Sequence, residues 1–229
     1  MSLTSIDFLY LPPTLKGVKK INLNSLEEGV NILIFEYKCM EKDRLIERLN
    51  FVMCKKDVLA LAELFTVMED GVTILYELCQ SENEKLSFHS AWVLENVLTS
   101  NPDLFGLCLS NIIEIIPTIK NQSLQRHFCK LLSIAMQYCN ENKLSPDACL
   151  LFKKADMEPI VEVCFEWLMD SITKPAVKAH CMDILLYLSA RYDWITDELP
   201  HVIELQMLDG TPGIKSKGTK VLGVIRKKR

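Results

Sequence analysis

Apolar residues along this chain recur at a spacing that predicts α-helix almost throughout the residues after position 25. Counting from four starting residues, positions +4, +7, +8 and +11 are small or apolar in each case, and these positions form one stripe along a helix. Each stripe follows another apolar helical segment and a short polar turn. The four starting residues are Leu86, Leu124, Val177 and Ile214.

The stripes also indicate a repeat. Their starts are separated by 38, 53 and 37 residues, and the longer interval indicates an insertion around residues 138–156. Two of the intervals match paired-helix repeats of the HEAT or armadillo length. One helix pair cannot bury its own stripe, whereas stacked pairs can. We therefore predict an all-α superhelical solenoid of about four to five helix pairs.

The first 40 residues lie outside the repeats. Ser25 and Glu28 have the spacing of a capping box, which predicts a helix over the apolar segment 26–39. We predict an N-terminal extension with one helix over residues 1–40 and a HEAT-like solenoid domain over residues 41–229. The apolar segment 26–39 could pack on the first helix pair or dock another subunit. Because an isolated helix of this length is marginally stable, we expect it to pack in cis on the predicted helices at about 43–53 and 56–67.

Proline positions predict further helix starts. Asn101, Ser145 and Thr211 each stand directly before a proline. Asn, Ser and Thr side chains suit the residue that precedes a helix, and proline suits the first helical position. A helix is therefore expected after each of these residues.

The composition excludes several classes of protein. Hydrophobic residues make up 49% of the chain and charged residues 24%, which is typical of a globular core. No apolar run approaches the roughly 18 residues of a membrane span, and the N-terminus lacks the pattern of a secretory signal. The nine cysteines show no CxxC spacing, which disfavours a zinc site and predicts reduced thiols in a cytoplasmic protein.

Charge is distributed unevenly along the chain. The segment from Ile214 to Arg229 contains seven basic residues and no acidic one, while the rest holds 19 basic residues against 30 acidic ones. Binding to nucleic acid requires clustered Lys and Arg side chains. The acidic body therefore disfavours a nucleic-acid partner. We interpret the basic tail as the solvated end of a C-terminal helix.

Three segments carry a family resemblance: SFHSAWVLENVL (87–98), CFEWLMDSITKPAVKAHCMDILLYLS (164–189) and DWITDELPHVIE (193–204). Over residues 55–226 the chain resembles small bacterial HEAT-like proteins of the ARM/HEAT superfamily. This resemblance implies an α-solenoid with no established activity. Some such proteins are labelled adenylosuccinate lyase. The serine-rich loop ending in Met-Pro-x-Lys that marks the lyases is absent here, so that activity is not carried over.

Histidines and tryptophans provide few candidates for chemistry. His89, His127 and His180 each stand three residues after a repeat start, at the edge of the apolar stripe. They could form a ladder that binds metal or senses pH, but helices about 10 Å apart place imidazoles too far apart to share one zinc ion. We interpret them as boundary residues, Trp167 as a core residue, and Trp194 as a contact to the previous repeat. No catalytic residue, cofactor site or metal site is predicted.

The predicted function is a non-enzymatic scaffold that binds a protein or peptide on the concave face of the solenoid. Positions +2 and +6 of the second helices should lie on that face, and tryptophan and arginine are the residues that dominate binding interfaces. Phe88 and Trp92 could equally contact a neighbouring repeat or the N-terminal extension. Two alternatives are a HEAT-type DNA-binding or DNA-glycosylase-like protein and, from the label alone, a purine-pathway lyase. The candidate partner-binding residues are Phe88, Trp92, Arg126, Lys130, Asp183 and Lys220.

Overall fold

A computed structural model describes residues 43–51 and 53–228. The chain divides into two compact units, Met1–Arg48 and Leu49–Arg229. Of the first unit only residues 43–48 are described, and they are helical. The predicted extension over residues 1–40, its helix over 26–39 and the packing expected of that helix lie outside the described residues. The domain boundary therefore stays a prediction.

The described part of the second unit is built from α-helices and two short 3₁₀ turns, and no strand occurs in it. The 3₁₀ turns cover Pro102–Leu107 and Ile116–Thr118. The helices are α1 (Lys55–Val67), α2 (Gly71–Cys79), α3 (Glu84–Ser100), α4 (Leu109–Ile115), α5 (Gln122–Asn140), α6 (Pro146–Lys154), α7 (Glu158–Met169), α8 (Pro175–Leu188), α9 (Trp194–Leu208) and α10 (Pro212–Lys228).

The helices pair and stack as a solenoid. Helix α2 packs on α3, α4 on α5, α7 on α8, and α9 on α10. The second helices of these pairs also pack on one another in the order α3, α5, α8, α10. Helix α1 packs on α2 and α3. The predicted all-α solenoid is confirmed.

The predicted stripes form its core. In α8, the stripe from Val177 to Leu188 is buried along its whole length, and the corresponding residues of α3 and α10 are also buried. In α5 the first stripe position, Leu124, is only half-buried, whereas the following positions are fully buried. Burial of one stripe per helix against both neighbours is the main stabilising contribution in such a stack.

Two of the three predicted proline-linked starts begin α-helices. The Ser145 hydroxyl accepts a hydrogen bond from the Ala148 amide at 3.2 Å at the start of α6, and Thr211 precedes α10. Asn101 precedes a 3₁₀ turn instead, and α4 begins seven residues beyond that turn's first residue. Two helix starts without a proline also have side-chain caps: Asn83 and Asn121 cap α3 and α5 by accepting two backbone hydrogen bonds each.

The predicted insertion contains the end of α5, a turn and α6. Asn142 adopts the left-handed conformation, with φ 55°, directly after the C-cap of α5. The Lys143 amide donates to the Tyr138 carbonyl at 2.8 Å, and the Asn142 amide donates to the Cys139 carbonyl at 3.2 Å. These two hydrogen bonds form a Schellman motif, which ends the helix and turns the chain toward α6.

A disulfide bond joins Cys139 of α5 to Cys149 of α6, whose Cα atoms are 5.5 Å apart. The expectation that every thiol is reduced is therefore wrong for this pair. Two cysteines ten residues apart have no CxxC spacing, and they meet because the turn after α5 reverses the chain. No helix of the described residues is long and apolar enough to cross a membrane.

Candidate functional site

The exposed sides of α3, α5, α8 and α10 form one continuous surface, which we call the second-helix face. Arg126 and Lys220 on this surface are exposed, and the other four candidate residues on it are half-buried. The structure brings the rings of Phe88 and Trp92 into contact. Among the described residues, no hydrogen bond or ion pair joins Arg126, Asp183 and Lys220 to one another. The six candidates on this face are Phe88, Trp92, Arg126, Lys130, Asp183 and Lys220.

The two aromatic residues of α3 form a supported pair. The ring centroids of Phe88 and Trp92 lie 6.0 Å apart. The Phe88 ring also lies 5.4 Å from the imidazole of His127 in α5. Phe88 therefore contacts the neighbouring repeat, as one of the two readings of the sequence proposed, and at the same time supports the half-exposed indole of Trp92.

Glu95 joins the first two repeats through a buried polar cluster. Its carboxylate accepts a hydrogen bond from Nδ1 of His127 at 2.7 Å and another from Nζ of Lys130 at 2.5 Å. Burial alone would raise the pKa of Glu95, but these two hydrogen bonds outweigh burial and lower it below its usual value. Glu95 is thus an ionised carboxylate with only 7% of its surface exposed.

The three repeat-position histidines differ in their surroundings. The imidazole of His89 contacts the Leu49 carbonyl oxygen through Nδ1 at 2.6 Å, and His127 is the partner of Glu95. Both side chains are buried, which is deeper than the boundary position expected from the sequence. Nε2 of His127 is buried without a hydrogen-bond partner among the described residues.

His180 of α8 is held neutral. Burial lowers its pKa to about 4, and the positive charges of Lys217 and Lys130 act in the same direction against the opposing Asp183 and Glu95. At neutral pH the imidazole therefore carries no charge, and the charges around it belong to the neighbouring lysines and carboxylates.

A second polar link joins the last two repeats. Nζ of Lys217 in α10 donates a hydrogen bond to Oδ2 of Asp183 in α8 at 2.6 Å. Both side chains are about one quarter exposed, so this ion pair is more exposed to solvent than the cluster around Glu95. Asp183 stands at position +6 of its helix and is a sequence candidate, whereas Lys217 stands at position +3 and is not.

The tryptophans outside the second-helix face occupy the predicted places. Trp167 is a core residue with 7% of its surface exposed. Trp194, at the start of α9, stacks on Phe165 of α7 with ring centroids 5.5 Å apart. This contact joins the last repeat to the previous one, as expected from the sequence.

Three further cysteines meet in the core. Cys129, Cys164 and Cys181 come from α5, α7 and α8 and are completely buried. Hydrogen bonding to Cys181, followed by burial, raises the pKa of both Cys129 and Cys164. The thiols of Cys129 and Cys164 are therefore protonated and act as packing residues. In the described part of the chain, no group of three His, Cys, Asp or Glu side chains is placed to hold a metal ion.

Comparison with protein families decides how this architecture is classified. A family model described as a HEAT repeat domain matches residues 45–225, which is most of the chain. The chain belongs to the HEAT repeat domain family. No curated protein and no solved structure matches it. The HEAT-like part of the sequence resemblance is confirmed, whereas a bacterial source and the lyase label receive no support from these comparisons. HEAT repeat domains are helical scaffolds whose extended surfaces are commonly used for protein interaction.

Proposed function

We propose that this HEAT repeat domain is a non-enzymatic scaffold that binds a protein or peptide on the second-helix face. The observation that carries the proposal is the half-exposed Trp92 indole, which packs on the Phe88 ring, which in turn contacts His127. The exposed Arg126 lies on the adjacent helix α5. Buried or half-buried tryptophan and arginine side chains contribute most of the binding energy in protein interfaces.

The support behind Trp92 matters for affinity. Its indole contacts the Phe88 ring, and that ring contacts His127, whose own position is fixed by Glu95. A side chain held in this way loses little conformational entropy when a partner binds. Trp92 is therefore suited to act as a rigid anchor.

The charged candidates divide into two roles. Lys130 and Asp183 are engaged with Glu95 and Lys217 and hold consecutive helices in register. Arg126 and Lys220 are exposed and form no ion pair among the described residues. They can therefore donate hydrogen bonds to a partner without breaking an internal contact.

The test is affinity capture from native cells with the full chain as bait, followed by binding measurements with the partner that mass spectrometry identifies. Trp92→Ala and Arg126→Glu should each weaken binding at least tenfold while the far-ultraviolet circular dichroism is unchanged. Lys130→Glu is less informative, because it would place a second carboxylate beside the buried Glu95.

Trp194→Ala is the matched control, since Trp194 is also a partly exposed indole packed on a phenylalanine but lies in α9, outside the second-helix face. Unchanged binding in both Trp92→Ala and Arg126→Glu would reject the assignment of this face. The DNA-binding alternative is tested separately by titrating duplex at low salt, where counterion release favours binding most.

A further inference from the structure

A groove of about 510 Å³ lies at the C-terminal ends of α5 and α8. The insertion builds one side of it. In the neighbouring repeats, five to eight residues connect a second helix to the next first helix, whereas α6 lies between α5 and α7. Phe152 and Lys153 of α6 line the groove, and so do both cysteines of the disulfide that ties α6 to α5.

The lining has an apolar floor. Met136, Phe152, Met157, Leu186 and Val224 contribute side chains from four different helices and from the residue that precedes α7. Pockets that bind small molecules enclose about 300–1,000 Å³ and are lined mainly by apolar side chains with a few polar groups. The volume of this groove is within that range, and most of its lining side chains are apolar.

The polar side chains of the lining share one property. Asn140, Lys153, Tyr187 and Arg191 can all donate hydrogen bonds, and no carboxylate is among the lining residues. Two of the four carry a positive charge. In a chain with more acidic than basic residues, an apolar groove with two cations and no anion is complementary to an apolar body that bears a negative charge.

Arg191 is placed by the insertion itself. Its Nη1 donates hydrogen bonds to the Ala155 carbonyl at 2.7 Å and to the Phe152 carbonyl at 3.4 Å. The guanidinium group has further N–H donors on Nη2 and Nε, which have no hydrogen-bond partner among the described residues. The backbone around α6 therefore fixes the guanidinium and leaves part of its donor capacity for a ligand.

We propose that this groove binds a small amphiphilic anion, an aliphatic or aromatic body that ends in a carboxylate. The apolar body would lie on the floor formed by Phe152, Leu186 and Val224, and the carboxylate would accept hydrogen bonds from Lys153 and Arg191. This site is separate from the six candidate residues of the second-helix face and does not depend on the proposed function.

The proposal is tested by calorimetric titration of the full chain with decanoate and with 1-decanol, which has the same body without the charge. Decanoate should bind at least tenfold more tightly than decanol. Lys153→Gln should weaken decanoate binding about three- to tenfold and leave decanol binding unchanged, because only the charged contact is removed.

A second variant keeps the test independent of the cations. Val224→Trp should fill the groove and weaken the binding of both ligands at least tenfold, since Val224 lines the groove and, being 41% exposed, tolerates a larger side chain. Val67→Trp, at an 82% exposed position of α1, is the matched control and should leave both affinities unchanged.

Absence of decanoate binding, equal affinity for decanoate and decanol, or unchanged affinity in Val224→Trp would each overturn the proposal. Trp92→Ala should not alter decanoate binding. Failure of the groove proposal and failure of the scaffold proposal are therefore distinguishable.

Discussion

The carboxylate of Glu95 in α3 accepts a hydrogen bond from Nδ1 of His127 in α5 at 2.7 Å, and both side chains are almost completely buried between two consecutive repeats. Lys130 donates to the second carboxylate oxygen. A buried carboxylate that is satisfied on both oxygens holds its two helices in one relative position, because sliding either helix would leave the charge unpaired.

Glu95→Gln should therefore destabilise the protein. Removing one partner of a buried ionic cluster costs about 3–5 kcal/mol, and because Gln retains the size and one acceptor oxygen we expect a loss of about 3 kcal/mol in the free energy of unfolding. Urea denaturation measures this change. Glu162→Gln, at an exposed position of α7, is the control and should change the free energy of unfolding by less than about 0.5 kcal/mol. Equal effects of the two substitutions would contradict the role given to Glu95.

His180 should make the protein less stable in mild acid. Its pKa is lowered to about 4 in the folded state, by burial first, from 6.5 in the unfolded chain. Between these values only the unfolded chain binds the proton. The free energy of unfolding is therefore unaffected by protonation of His180 above pH 6.5. It falls as the pH falls toward 4, by roughly 3 kcal/mol in total.

Urea denaturation at a series of pH values measures this loss. His180→Gln should flatten the dependence between pH 6.5 and 4, whereas His201→Gln, at an exposed position of α9, should leave it as steep as before. An identical slope in His180→Gln would show that other groups cause the acid sensitivity.

Two of the three glycines in α10, Gly218 and Gly223, should respond oppositely to alanine. A Cβ atom at Gly218 would lie 2.8 Å from Cγ2 of Ile203 and 2.9 Å from Cγ of Met207, both in α9. Such overpacking costs about 1–3 kcal/mol, which exceeds the gain in helix propensity of about 1 kcal/mol. At Gly223 nothing lies within 4 Å of the added atom.

Thermal denaturation should therefore show a lower Tm for Gly218→Ala and an unchanged or higher Tm for Gly223→Ala. A higher Tm for both variants would mean that α9 and α10 do not approach each other as closely as described.

The disulfide bond between Cys139 and Cys149 should stabilise the insertion. It closes a loop over a sequence separation of ten residues, for which chain-entropy arguments give about 2–3 kcal/mol. A reducing agent should lower the Tm of the natural protein and have no effect on the double variant Cys139→Ser, Cys149→Ser. If reduction leaves the Tm of the natural protein unchanged, the bond does not contribute to stability.

The sequence predicted the parts of this fold that depend on local periodicity. The stripe beginning at Val177 is buried as expected, because one face of a helix in a stack must exclude water. Asn101 shows the limit of local signals. A capping residue followed by proline suits the start of a 3₁₀ turn as well as that of an α-helix. The Asn–Pro pair therefore does not specify which of the two follows.

The polar contacts between repeats could not be predicted in the same way. Glu95 lies nine residues after its repeat start, where the other repeats have Ser133, Leu186 and Gly223, so no recurring position marks it. Its partners stand 32 and 35 residues further along the chain. Only the relative rotation of two packed helices brings these atoms together, and a single sequence contains no direct record of that rotation.

The two links between consecutive second helices also determine which units of this array can follow one another. Glu95 requires the imidazole and ammonium groups of His127 and Lys130 in the next unit, and Asp183 requires Lys217 in the unit after its own. A recombination event that removed α4 to α6 would place Glu95 opposite Asp183, which occupies the position of Lys130 in the repeat. The carboxylates of Glu95 and Asp183 would then face each other between two packed helices and repel each other. The units are alike in their apolar stripes but are not interchangeable, and their order is encoded in charge.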